Sequence, residues 1–147
     1  MIEIVAARAE HLDGWAALRH ALWDEVSADE HRAEAEEQLA ETERLYNLVA
    51  LDGDAVVGFA EAALRHDYVN GCETSPVVFL EGIYVSEAAR GSGLALRLCD
   101  AVAEWGRAQG CSEFASDALE EDVDSHAFHR AAGFAETERV VYFRREI

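Results

Sequence analysis

Pro76-Val-Val-Phe-Leu-Glu81-Gly-Ile-Tyr-Val85-Ser-Glu-Ala-Ala-Arg90-Gly-Ser-Gly93-Leu-Ala95 decides the fold of this 147-residue chain. Residues 77–85 are a nearly continuous apolar run, the pattern of a strand buried on both faces. Glu81 alone interrupts it, and a carboxylate there is costly unless it faces a polar site, a partner or a solvent-exposed edge. The run turns through two glycines into a helix whose apolar positions Leu94, Leu98, Ala101, Val102 and Trp105 share one stripe, which Gly110 stops. Backbone N–H groups at such a helix start have no intrahelical partners, and the helix dipole favours an anion there. Gly91 and Gly93 let the backbone approach a pyrophosphate, and Arg90 adds a fixed charge. Gly-Ser-Gly is also an ordinary tight turn. The loop lacks the GK[ST] of a Walker motif and does not follow the first strand, as a dinucleotide fingerprint would.

Upstream of this unit, Ile2, Ile4 and Val5 suggest a short strand, and Leu12, Trp15, Leu18, Leu22 and Val26 recur at helical spacing. Ser27-Ala-Asp-Glu30 reads as a capping box opening a second helix to about Glu43. YNLVAL and AVVGFAEAAL flank Asp52-Gly53, a hairpin signal. Downstream, CSEFASDA reads as a strand, residues 123–132 as a short helix stopped by Gly133, and RVVYFR as a closing strand. The predicted order is strand, helix, helix, three strands, helix, strand, helix, strand. That is an α+β fold with an α/β-type mixed sheet. One proline and no Ser/Gly-rich tract leave no linker, so residues 1–147 are expected to form a single domain.

Composition narrows the partners. Half of the residues are hydrophobic, enough to bury a core, and the formal net charge is −18. Such a balance argues against a nucleic acid or an anionic membrane as partner and favours a small polycation, although acidity also simply keeps proteins soluble. Between Asp24 and Glu43 lie nine carboxylates and one Arg, either a solvated helical face or a cation-attracting rim. All twelve basic residues are Arg, which excludes a lysine Schiff base. Three cysteines without CxxC spacing point to a reducing cytoplasm, and no signal peptide or spanning segment is evident. His126 and His129 are one helical turn apart, but no third ligand is evident and no metal is expected.

Arg90-Gly-Ser-Gly93-Leu-Ala95 matches, at every fixed position, the R/Q-x-x-G-x-G/A acetyl-CoA loop of the GNAT acetyltransferase superfamily, which this chain resembles. HRAAGF, with Gly133 and Phe134, is similar to that superfamily's fourth helix and following turn, and the element order agrees along the whole chain. A closer resemblance, carried by Arg65-His-Asp-Tyr68-Val-Asn70-Gly-Cys72, Leu22-Trp23, Trp105 to Cys111, Ala115-Ser-Asp117 and GFAETERV, is to the aminoglycoside 6'-N-acetyltransferases. It implies a central, mostly antiparallel sheet splayed between strands 4 and 5 with flanking helices, acetyl-CoA as co-substrate and a polycationic antibiotic as acceptor. A homodimer is implied too.

The resemblance also assigns roles. Glu81 and Asp117 fall on substrate positions and are candidate acceptors of the amine proton. Trp23, Tyr68 and Glu138 fall on further substrate positions. Without the family, Asp117 reads as a turn or cap residue, Trp23 as core and Glu138 as a strand-edge charge. Ile83, Tyr84 and Val85 would align the pantetheine and polarise the acyl carbonyl. Arg90, Gly91, Ser92, Gly93, Leu94, Ala95 and Leu96 would hold the pyrophosphate. His129 stands where many relatives carry a tyrosine that protonates the leaving thiolate; it also reads as a packing or capping residue. Two departures are visible: Val26 replaces a His of some relatives, and Asp122 replaces a cofactor-contacting Asn. Rival readings are a GNAT enzyme for another amine, such as a polyamine, metabolite or peptide terminus, and a non-catalytic acetyl-CoA-binding module.

Overall fold

The computed structural model describes residues 1–147. Five strands form one sheet in sequential order: β1 (Ile2–Ala6), β2 (Leu45–Asp52), β3 (Ala55–Arg65), β4 (Val77–Val85) and β5 (Phe114–Ala115). The first three pairings are antiparallel and β4–β5 is parallel, giving the mixed sheet expected from the sequence. Asp52 and Ala55 close the β2–β3 hairpin around Gly53, whose φ of 63° only glycine adopts easily.

Four helices cover the two faces: α1 (Leu12–Leu22) and α2 (Ala28–Leu39) on one, α3 (Leu94–Ala108) and α4 (Val123–Ala131) on the other. Strand alternation sorts the core into two layers. Leu48, Ala50, Ala60, Ala62, Val78 and Leu80 face α3, while Val49 and Phe59 pack on Leu12, Trp15 and Ala35 of α1 and α2. Helix α3 approaches the sheet closely, because a Cβ at Gly106 would stand 2.5 Å from Val78 Cγ1.

Two irregularities in β4 matter for function. Glu61 opposes Gly82 and Ala62 opposes Leu80, so Glu81 is the extra residue of a β-bulge. Pairing with β5 covers only Val78–Phe114 and Phe79–Ala115. Beyond that point β4 continues to Val85 without a β5 partner, which is the splay expected between strands 4 and 5.

Several boundaries depart from the sequence reading. Helix α1 ends at Leu22, not Val26. Trp23 has extended φ/ψ, and its carbonyl accepts a hydrogen bond from His31 Nε2 at 2.7 Å, replacing a helical bond. Ser27 caps α2 by accepting from the Glu30 N–H, as expected, but α2 stops at Leu39 so that the chain can turn into β2. Strand β5 is two residues long because Cys111 N–H still closes the end of α3 on the Gly106 carbonyl and β4 diverges beyond Phe79. Residues 139–144 do not form the predicted closing strand. Val141, Tyr142 and Phe143 are 78, 82 and 92% exposed, and the two-residue β5 supplies too short an edge for them to pair with.

Helices α1 and α2 are tied to the sheet by a buried charge. Arg19 and Glu61 are 4 and 3% exposed. Arg19 donates from Nη1 to both Glu61 oxygens at 2.5 and 2.6 Å, from Nη2 to Glu34 at 2.6 Å, and from Nε to His31 Nδ1 at 3.3 Å. Trp15 Nε1 and Gln38 Nε2 donate to the same Glu61 carboxylate. Removing one member of such a pair strands the other charge in the core. Arg19→Ala is therefore expected to cost about 3–5 kcal/mol of stability, read from urea unfolding. Glu34→Ala, which removes only a half-exposed partner, is expected to cost far less.

Candidate active site

The site is built around the open edge of β4. At its N-terminal half, Arg65 of β3 reaches across to the bulged Glu81, donating from Nη2 to both carboxylate oxygens (2.7 and 3.0 Å) and from Nε to Oε1 (3.1 Å). The same guanidinium lies 3.6 Å over the Phe79 ring. Gly82 follows, and a Cβ there would fall 2.3 Å from the Trp23 indole, so the glycine is the space that lets the ring lie on the strand. His31 stacks on Trp23 at 6.3 Å, Phe59 meets it edge-on at 6.0 Å, and Arg19 sits 5.1 Å from its centroid. Trp23 is thus both packed and placed beside Glu81.

Next to this strand, Glu34, Glu37 and Gln38 of α2, and Glu41 just beyond its end, face Glu61 and Glu81 across a groove of about 420 Å³, with Arg44 at its side. Part of the acidic run on α2 therefore lines a concavity rather than an isolated solvated face.

At the other end of β4, residues 86–93 wind through a 3₁₀ turn (Glu87–Ala89) into α3. Gly91 and Gly93 have φ of 82° and 78°, and a Cβ at either would meet nothing within 4 Å, so the backbone is open to close approach. Arg90 Nε and Ser92 Oγ donate to the Val85 and Ala89 carbonyls, fixing the loop. Val85, Arg90, Gly91, Gly93, Leu94, Ala95 and Leu96 line one cleft of about 270 Å³, closed opposite by Phe128 and Ala131 of α4. These are the features a pyrophosphate and its attached chain require: free N–H groups at a helix start, glycines and an arginine. Ile83, Tyr84 and Ser92 do not line that cleft. Asp122 caps α4, its carboxylate accepting from Ser125 N–H at 3.1 Å.

The remaining candidates come from the segment after β5, from α4, from the loop before β4 and from the C-terminal segment. Asp117 follows β5 by two residues, is exposed and has no side-chain partner; Ser116 precedes it. His129 of α4 reaches Ser116 Oγ with Nε2 at 2.8 Å. Tyr68 is 75% exposed on a loop anchored by buried Val69 against Val77 and Phe79. Glu138 is exposed on the C-terminal segment, which docks on that loop where Thr137 fills the notch at Gly71. Glu113 staples the loop from below by accepting from the N–H groups of Glu73 (2.9 Å) and Thr74 (2.7 Å) and from the Thr74 hydroxyl. Cys99 and Cys111 are buried, and burial pushes the Cys99 thiol up to about 11, an inert setting for a nucleophile.

Sequence reasoning missed Arg65, Arg19 and Glu113 as parts of the site. Glu61 carried a usable signal, a carboxylate inside an apolar strand like Glu81. Which arginine would reach each of them depends on strand register and helix placement, which spacing does not reveal.

The fold and this arrangement define an acyl-CoA N-acyltransferase. The acetyltransferase (GNAT) family matches residues 15–134, and the chain belongs to that family. Within it, the chain is 54% identical to aminoglycoside N(6')-acetyltransferase type 1 of Serratia marcescens, over 98% of this chain and 99% of that one. The structure of AAC(6')-Iy with the bisubstrate analogue CoA-S-monomethyl-acetylneamine superposes with a TM-score of 0.93 at 44% identity, covering 100% of this chain and 99% of that one. The apo aminoglycoside 6'-N-acetyltransferase AAC(6')-IG of Acinetobacter haemolyticus does so with 0.93 at 45%, covering 99% of each.

The Glu113 staple has a pH signature. Hydrogen bonds from the Thr74 side chain, and then from the Glu73 N–H, hold its carboxyl below the usual range. A depressed folded value contributes stability above the ordinary carboxylate pKa of about 4.3 and loses it as pH falls through the lower folded value. Glu113→Gln is expected to flatten the acid limb of thermal stability in that window while leaving neutral-pH circular dichroism unchanged.

Proposed function

We propose that the protein transfers the acetyl group of acetyl-CoA to the 6'-amine of aminoglycosides, by direct attack and without a covalent enzyme intermediate, and thereby confers antibiotic resistance. The observation that carries this reading is the unpaired β4 edge, which runs from an acidic groove to a glycine-rich helix start. An extended thioester arm fits against such an edge as a further strand would. N–H groups around Ile83 to Val85 polarise the acyl carbonyl, and the loop from Arg90 to Leu96 takes the pyrophosphate. The groove lined by α2 takes the other ammonium groups of the acceptor.

Asp117 is the group that takes the amine proton, because its carboxylate is unpaired whereas Glu81 is bound by Arg65 at both oxygens. Glu81 orients the acceptor through its remaining lone pairs. Trp23, Tyr68 and Glu138 contact the sugar rings, and His129 supplies a proton to the departing thiolate. Residues 1–147 act as one domain, in the cytoplasm where acetyl-CoA and free thiols both belong.

Thiol release from acetyl-CoA is expected with an aminoglycoside bearing a 6'-amine and not with its 6'-hydroxyl counterpart. Turnover with both would move the acetylated position. Silence with both, alongside activity on polyamines or peptide termini, would favour another acceptor. Asp117→Ala is expected to lower kcat by about 10²-fold or more with acetyl-CoA binding intact.

The protein acts as a homodimer. Exposed Val140, Val141, Tyr142 and Phe143 have strand composition but no strand partner in their own chain, and a second copy supplies one. Light scattering is expected to give twice the mass of one chain. Val141→Asp with Phe143→Asp is expected to halve it.

A further inference from the structure

The hydrogen bonds of His129 constrain how it can deliver a proton. Its Nδ1 lies 2.7 Å from the Ser125 carbonyl oxygen, an atom that only accepts, and 3.3 Å from the Ser125 hydroxyl, which can accept as well; the closer carbonyl requires a hydrogen on Nδ1 in either charge state. Nε2 is therefore the atom that gains or loses the second proton, and Ser116 Oγ stands on it at 2.8 Å. Phe128 and Phe134 meet the ring edge-on at 5.5 and 5.3 Å and fix its plane. With the ring neutral, the Ser116 hydroxyl donates to Nε2. With the ring protonated, Nε2–H donates to Ser116 Oγ, and the hydroxyl hydrogen is free to point elsewhere. Ser116 immediately follows the last paired residue of β5, at the mouth of the splay, with Asp117 next in the chain.

We propose that Ser116 is a catalytic residue that passes the His129 proton to the leaving thiolate. This rests on the reading of His129 as the proton source. As the amine lone pair forms the C–N bond, the C–S bond breaks and its electron pair goes to sulfur. Sulfur takes the Ser116 hydroxyl proton while Ser116 Oγ takes the Nε2 proton, leaving a neutral imidazole. The proton lost from nitrogen goes to Asp117. The products are amide, thiol, neutral His129 and protonated Asp117, and solvent resets the last two.

Few charges compete for the ring. On α4, Asp122 is engaged as the cap, His126 bonds the Leu119 carbonyl at 2.9 Å, and Asp124 and Arg130 form no ion pair. On the segment beyond Phe134, Glu136 is paired with Arg139. From β5, Asp117 is the nearest charge along the chain.

The test uses the full-length protein with acetyl-CoA and an aminoglycoside bearing a 6'-amine, across pH. Wild-type kcat is expected to fall on the alkaline side as the imidazolium is lost. Ser116→Ala is expected to lower kcat by about 10²-fold or more and to abolish that limb, with unchanged KM for acetyl-CoA and unchanged melting temperature. Ser116→Thr, which keeps the hydroxyl, restores both. The double variant Ser116→Ala/His129→Gln is expected to be no slower than His129→Gln alone, as for two members of one relay. Should Ser116→Ala lose folded structure, Ser116→Gly, which likewise lacks the hydroxyl, takes its place with the same expectation. Wild-type kcat and pH profile in Ser116→Ala, beside a slow His129→Gln, would overturn the relay and leave His129 in place; additive losses would overturn it too. Wild-type kcat in His129→Gln would overturn the underlying reading instead.

Discussion

An unpaired strand edge inside a sheet is the constraint on which the rest of this molecule depends. Backbone N–H and C=O groups are obligatory hydrogen-bonding groups, and leaving them open in a fold is costly unless water or a ligand satisfies them. Here β5 parts from β4 after Phe79 and Ala115, and the bulge at Glu81 changes the aim of the strand at about the same point. The result is a slot with β4 backbone along its wall. Glycine-rich loop, α4 and acidic groove are arranged around that slot, so each acquires its use from it.

Holding such a slot open requires rigid walls, and a buried charge provides one of them. Arg19 binds Glu61 of β3 and Glu34 of α2 and lies against Trp23, while His31 fixes the Trp23 carbonyl. A buried ion pair contributes little net stability compared with an apolar pair of the same volume, but its directional bonds admit only one arrangement of α1, α2 and β3. That arrangement sets the Trp23 ring over Gly82. Packing and site are therefore one structure on this face.

The charge distribution resolves a tension built into the chemistry. The acceptor is a polycation and the donor a polyanion, and a chain of formal charge −18 suits only the first. The fold separates the two demands along β4: carboxylates of α2, Glu61 and Glu81 gather at one end, and helix-start N–H groups with Arg90 at the other. Arg65 neutralises Glu81, whereas Asp117, beyond β5, has no side-chain partner. Two acids that look alike in sequence thus stand in different electrostatic settings.

Much of this was legible in the chain of residues. The apolar run 77–85, the two glycines and the stripe of α3 specify a strand–loop–helix unit, because periodicity and helix-end chemistry are local properties. Charge, the absence of lysine and the candidate carboxylates were equally plain. Long-range register was not: nothing in the spacing of Arg65 and Glu81, or of Arg19 and Glu61, says that they meet, since a shift of one residue in a strand sends a side chain to the opposite face. The closing strand at 139–144 fails for the same reason, as strand composition states a preference and only an available edge fulfils it. Sequence alone determined most of the elements and which residues are candidates for the chemistry; the tertiary structure decided which of those residues are paired and whether the last strand finds an edge, because pairing depends on distances between segments far apart in the chain.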